Sequence, residues 1–243
     1  MSLPVRRAVV RHGDARIDVP SALSTWALAW VVGNVLSAVV LAASGHAGED
    51  TDEIPIWVLF LGTSVVWAAF LVGMALVSRR RGTGDFARDY RLRFRPVDLL
   101  GAPIGVFTQL VLVPIVYLPL EALWDQTFNG DKLSKNAEDL ADRAHGFSML
   151  LLILMVCVGA PLVEELVYRG LLQGSFEARV RGFVAVLASA AIFALIHFRP
   201  VEYPGLFVIG LVLGTCALLT GRLGMAIACH IGFNVTGLIL AFN

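Results

Sequence analysis

Long apolar runs broken by short polar punctuation dominate the chain. They fall at roughly 22–43, 55–77, 98–122, 146–170, 182–198, 203–220 and 222–242. A membrane crossing takes about 20 predominantly apolar residues, so the pattern predicts an all-α polytopic membrane protein, a bundle of about seven transmembrane helices. The last three runs are separated only by Arg199 to Pro204 and by Gly221-Arg222, so six or eight crossings fit the same pattern. The first run follows basic residues, as a signal peptide would. At about 20 residues it exceeds a usual h-region of roughly 7 to 15 and is read as a retained helix.

Composition agrees. Hydrophobic residues make up 57% and charged residues 16%, with a mean hydropathy of +0.76, against roughly 45–50% and about 25% in soluble domains. Nineteen basic residues balance nineteen acidic ones, and nothing points to a nucleic-acid partner. Cys157, Cys216 and Cys229 lie within apolar runs without close spacing, which argues against a disulfide scaffold or a zinc ribbon.

The distribution of charge sets the expected orientation, because Lys and Arg accumulate on the cytoplasmic side. Arg6, Arg7, Arg11 and Arg16 precede the first run, and Arg79, Arg80, Arg81, Arg88, Arg91, Arg93 and Arg95 follow the second. Both segments are expected inside, making residues 1–21 a cytoplasmic N-terminal segment. The loop with Glu49, Asp50, Asp52 and Glu53, and the 123–145 loop with Asp125, Asp131, Glu138, Asp139 and Asp142, are expected outside. Alternation then puts Arg179, Arg181 and Arg222 inside. The Ala- and Arg-rich, Lys-poor composition points to a bacterial plasma membrane.

Ionisable groups at bilayer depth are costly unless paired or facing water, so each is a candidate functional group. Three clusters stand out. In the first, Glu165 and Arg169 share a helix face at i,i+4 spacing, while Glu164 points about 100° away. The second is Phe193 with His197, four residues apart at the end of an otherwise uncharged helix. The third is His230 and Asn234, one turn apart among the small residues Gly224, Ala226, Ala228 and Gly232, which permit close helix packing.

Depth arithmetic brings them to one level. Glu164 lies about 17 residues before the turn near Arg181-Gly182 and His197 about 15 after it, roughly 22 to 26 Å each way. His230 is only about 12 Å past the Gly221-Arg222 turn, so it reaches that level if the preceding hairpin protrudes by about 10 Å. The polar segment 173–181 suits such a protrusion. A carboxylate and imidazoles facing one apolar-walled cavity can take a proton from water, while a second imidazole and an amide can donate to an oxyanion. That is the chemistry of an amide hydrolase without a covalent intermediate.

The paired glutamates with Arg four after the second, then Phe-x-x-x-His, then His-x-x-x-Asn, each in a membrane helix and in this order, resemble the CPBP family of intramembrane proteases, the CAAX-protease and bacteriocin-processing family. The resemblance covers roughly residues 145–243, a CPBP-type catalytic helical core, and leaves 22–144 as accessory helices and loops. It implies that Glu164 is the catalytic base, that His197 positions the water, and that His230 and Asn234 stabilise the oxyanion. Glu165, Arg169 and Phe193 would shape the site. The implied substrate is a membrane-associated protein or peptide in contact with the lipid bilayer.

Alternatives stay open at this point. Glu164, His197 and His230 could form the His₂Glu set of a catalytic zinc site, which would make the protein a metalloprotease, although no His-Glu-x-x-His occurs and Asn234 suits hydrogen bonding better than zinc. The preferred expectation needs no metal. A non-catalytic membrane scaffold or immunity-type protein of the same fold, and a secondary transporter, are the rivals from other classes. The halves show no convincing internal repeat of the kind many transporters carry. The remaining histidines, His12, His46 and His145, receive no role, and Glu121 is expected to snorkel to the interface. Pro114 and Pro119 are expected to kink the third span.

Overall fold

The computed structural model describes residues 17–128 and 130–242. Arg6, Arg7, Arg11, His12 and Arg16 lie outside the described residues. Among the described residues there are eight principal helices and no strand. They are α1 (Val19–Ala43), α2 (Ile56–Arg81), α3 (Pro96–Trp124), α4 (Gly130–Arg143), α5 (Phe147–Phe176), α6 (Gly182–Leu195), α7 (Tyr203–Thr220) and α8 (Gly224–Ala241). By length and composition, α1, α2, α3, α5, α7 and α8 can each cross a membrane. α6 has 14 residues, about 21 Å, which falls short of a hydrocarbon core of roughly 30 Å. The architecture is a polytopic membrane helical bundle.

Two features depart from the apolar pattern. The 123–145 stretch is not only a loop: it holds α4. An amphipathic helix has no unbroken apolar run, so hydropathy passes over it, yet Leu140 and the buried Ala144 pack with Ile56, Leu151 and Leu152. The 173–181 segment is also less polar in use than in composition. Gln173 is fully buried and donates to the Gly214 carbonyl at 3.0 Å and to Glu177 at 3.0 Å.

Irregular helix geometry concentrates in α3 and α5. π-type turns occupy Thr108–Leu112, Leu154–Gly159 and Glu165–Gln173. The first two sit just before Pro114 and Pro161, whose missing N–H groups leave the carbonyls of Leu110 and Cys157 without the usual i→i−4 donor. Neighbouring side chains serve carbonyls within these turns. Val156 accepts from Asn234 at 2.8 Å, Tyr168 from Ser189 at 2.9 Å, and Arg169 from Arg91 at 2.9 Å. A buried carbonyl must find a donor somewhere, so the π turns of α5 are stitched to α8, α6 and the 82–95 loop.

That loop organises the arginine-rich end. Arg91 forms an ion pair with Glu177 at 2.8 Å, and the carbonyls of Arg91 and Arg93 accept from Leu223 and Gly224 at the start of α8. Asp98 at the start of α3 pairs with Arg222 through both carboxylate oxygens, at 2.6 and 2.9 Å. α5 runs on past Arg169 to Phe176, about 10 Å further, beside the loop on which α8 begins. α3 and α8 then approach closely, since side chains at Gly101 and Gly105 would collide with the backbone of Met225 and Cys229, a small-residue seam of the kind that joins membrane helices.

Candidate active site

Glu165 and Arg169, one π-distorted turn apart on α5, form an ion pair at 2.9 Å with neither side chain exposed. Arg169 also donates to the Gly210 carbonyl of α7 at 3.1 Å, and its guanidinium lies 4.6 Å from the centre of the Phe193 ring. Such a pair is costly to bury and more costly to break. Its second link is the informative one: the same oxygen of Glu165 meets Nδ1 of His230 at 2.9 Å. A carboxylate oxygen accepts, so Nδ1 carries the proton and Nε2 is turned away from Glu165.

Nε2 of His230 lies 3.8 Å from Oε2 of Glu164. This is too long for a direct hydrogen bond and short enough for one water to touch both groups. Glu164 differs from its neighbour in being 26% exposed, because it points into a cavity rather than into the bundle. His197 lines the same cavity. Its Nδ1 lies 2.7 Å from the Phe193 carbonyl, which can only accept, so this imidazole too presents its Nε2 away from the backbone. Phe193 holds the group together: its buried ring makes edge contacts with Tyr168 at 5.2 Å, His197 at 5.0 Å and His230 at 6.0 Å.

The turn after α6 fixes His197. Phe198 adopts a left-handed backbone, φ 53°, rare for a bulky residue and a form of local strain met at functional sites. Two clamps hold it. The Phe198 ring packs 6.1 Å from Trp30 of α1, and Tyr117 of α3 donates to the Val201 carbonyl at 2.6 Å while accepting from the Gly205 N–H at 3.2 Å.

Asn234 sits apart. Its amide donates to Val156, and it lines a second cavity of about 370 Å³ with Gln109, Tyr117, Val156, Glu202 and Phe233. The structure therefore brings Glu164 and His197 to one cavity and His230 within 3.8 Å of Glu164, and places Asn234 at a different cavity. Among the described residues no group of three or more His, Cys, Asp or Glu is placed to hold a metal ion. Nδ1 of both imidazoles donates to an acceptor, which leaves each Nε2 oriented as in a metal-ligating histidine. No third donor is gathered with Glu164 and His230 among the described residues, however, so the set as it stands does not complete a zinc site.

The cavity shared by Glu164 and His197, about 340 Å³, is also walled by Trp30, Asn34 and Ser37 of α1 and by Thr63, Val66, Trp67 and Phe70 of α2. Reading the sequence for ionisable groups misses this wall. Its signal is fainter: a lone amide, Asn34, in the apolar run of α1, and two tryptophans away from the ends of their helices. Gly159 on α5 belongs with it, since a side chain there would collide with the Trp67 ring.

Residues 146–236 match the family of Rce1-like type II CAAX prenyl endopeptidases. The membrane-embedded CAAX protease MroQ of Staphylococcus aureus (strain USA300) is 28% identical over 138 residues, covering 54% of this chain and 54% of that protein. The chain thus spans about half the length of the curated relative it matches. No solved structure matches. Glu164, His197, His230 and Asn234 all fall inside the matched segment. Set beside six helices fit to cross a membrane, these matches support a CPBP family protease.

Proposed function

We propose that the protein is an intramembrane endopeptidase that hydrolyses a peptide bond of a membrane-associated protein or peptide, using water activated by Glu164. The observation that carries this reading is the division of labour between adjacent carboxylates. Glu165 is sealed in an ion pair, whereas Glu164 faces a cavity in company with His197 and has Nε2 of His230 at 3.8 Å.

In the proposed reaction Glu164 takes a proton from water as the water oxygen bonds to the scissile carbonyl carbon. Nε2 of His197 accepts the other water hydrogen and orients the attack. His230, protonated on Nε2 and held through Nδ1 by Glu165, donates to the oxyanion. A protonated His230 also leaves the cluster of Glu164, Glu165, Arg169 and His230 without net charge, which suits apolar surroundings. When the tetrahedral intermediate collapses, the C–N bond breaks and the leaving amine takes its proton from Glu164. Asn234, engaged with the Val156 carbonyl, supports the scheme by holding that π turn in place. No metal is needed in this scheme, and the arginine-rich end is assigned to the cytoplasm of a bacterial plasma membrane.

The test is turnover of a membrane-tethered peptide library by purified wild type and Glu164→Gln, with and without a chelator. General-base catalysis is worth about 10²–10⁴-fold, so Glu164→Gln should lose at least the lower figure while unfolding at the wild-type temperature, and the chelator should change nothing. Equal turnover by the two proteins removes Glu164 from the mechanism. Loss of wild-type activity with chelator, restored by zinc, replaces the scheme with a metalloprotease.

A further inference from the structure

The wall of the Glu164 cavity that lies outside the matched segment carries hydrogen-bonding groups left open. A hydroxyl in an apolar helix ordinarily satisfies itself on the carbonyl one turn back. Thr25, Ser64, Thr108, Thr215, Thr220 and Thr236 all do so. The hydroxyls of Ser37 in α1 and Thr63 in α2 make no hydrogen bond within the described residues, and both residues line the cavity with Glu164 and His197. Asn34, one turn before Ser37, uses one amide hydrogen on the Trp30 carbonyl at 2.8 Å. Its Oδ1 and second hydrogen are left over. Three polar side chains on two adjacent helices therefore share the cavity of Glu164 with unused donors and acceptors, Ser37 Oγ lying against Gly62, amid Trp30, Val66, Trp67 and Phe70.

The chemistry of the substrate says what such groups meet. A peptide bond inside a helix has its carbonyl and N–H engaged, so a segment must be extended before water can add to it. Within the bilayer each backbone group so released is costly unless it is paired. We propose that α1 and α2 form the substrate-positioning wall: Asn34, Ser37 and Thr63 hydrogen-bond the backbone amides of an extended peptide segment flanking the scissile bond. The aromatic residues around them receive a bulky apolar side chain of that segment. These three are positioning residues, not catalytic ones, and the inference rests on the endopeptidase reading above.

The test uses the full-length protein in detergent and the peptide cleaved fastest in a membrane-tethered library. Each amide flanking the cut is replaced in turn by an ester, which removes one N–H donor. In wild type, the ester at the contacted position should lower kcat/KM about 10-fold. In Asn34→Leu/Thr63→Val, whose replacements suit an apolar helix, the all-amide peptide should lose about 10-fold, mainly through KM, and the same ester should cost nothing further. Asn34→Gln should recover part of the loss. An ester penalty of equal size in wild type and the double variant, at every position, overturns the wall. Glu164→Gln run beside it separates the two claims: lost turnover there with unchanged ester penalties leaves the endopeptidase reading standing and removes this one, whereas retained turnover, or no peptide cleaved by wild type, removes both.

Discussion

The N-terminal helices and the C-terminal core are alike in hydropathy and unlike in how they use it. α1, α2 and α3 have window hydropathies of 1.9 to 2.1, within the 1.6 to 2.3 of α5, α7 and α8. Yet the first three bury 11%, 22% and 17% of those windows inside the protein, and the others 44%, 39% and 39%. Lipid tails are as apolar as leucine, so hydrophobicity alone does not drive one membrane helix onto another. What gathers the core is polar: the Glu165–Arg169 pair, its links to Gly210 and His230, and the small residues that let backbones approach. α1 and α2 keep apolar side chains exposed on one face and lend the other to the Glu164 cavity, while α3 packs on α8.

The largest effect in this comparison should come from the core. Arg169→Met leaves Glu165 buried without its cation, and removing one partner of a buried pair costs about 3–5 kcal/mol. The variant should unfold at a markedly lower temperature or denaturant concentration in detergent. Glu165→Gln combined with Arg169→Met should recover much of that loss, because no lone charge is left, and yet stay inactive because Nδ1 of His230 loses its carboxylate. A double variant no more stable than Arg169→Met would show that the pair is not what gathers the core.

A smaller effect is expected at the seam between the two regions. Tyr117 belongs to α3 and clamps the turn after His197 through Val201 and Gly205. Tyr117→Phe leaves a backbone carbonyl and a backbone N–H without their partner, at a cost of about 1–3 kcal/mol. The loss should fall on the turn rather than on the whole bundle. Hydrogen exchange should rise at residues 198–205 while α5 stays protected, and turnover should drop with His197 less well held. Exchange unchanged at that turn would show that the Trp30 contact with Phe198 suffices.

How far these arrangements can be read from the chain alone follows from which partners are near in sequence. Seven apolar runs announce the bundle because each helix signals its own length, and Glu165 with Arg169 is visible as an i,i+4 pair. His197 and His230 stand out because imidazoles in apolar runs are rare. The rest depends on distant partners. Nothing local reveals that Tyr117 reaches a carbonyl 84 positions away, or that Asn234 turns to Val156 in place of the cavity. Ser37 and Thr63 look like ordinary self-satisfied hydroxyls until the lack of a bond is seen. α6 reads as a full crossing because the run continues through Ile196, His197 and Phe198, where the helix has already ended.

The smallest effect should lie in the loop that joins the N-terminal pair to the core. Asp89 accepts from the Ser78 hydroxyl at 2.5 Å and from the Thr83 hydroxyl and N–H at 2.7 and 3.0 Å, tying the end of α2 to the segment that carries Arg91. Burial opposes the charged carboxylate, but these hydrogen bonds outweigh it and hold Asp89 below its ordinary value of 3.8. With the folded pKa lower than the unfolded one, the stabilisation is complete above that value and is lost as pH falls through the folded pKa. Asp89→Asn should cost on the order of 1 kcal/mol at neutral pH, and its deficit against wild type should shrink as pH drops below about 4. Unfolding midpoints in detergent from pH 3 to 7 read this directly. A deficit constant across that range would mean that Asp89 holds the loop by shape rather than by charge, and that the two regions are joined through Arg91 and Glu177 instead.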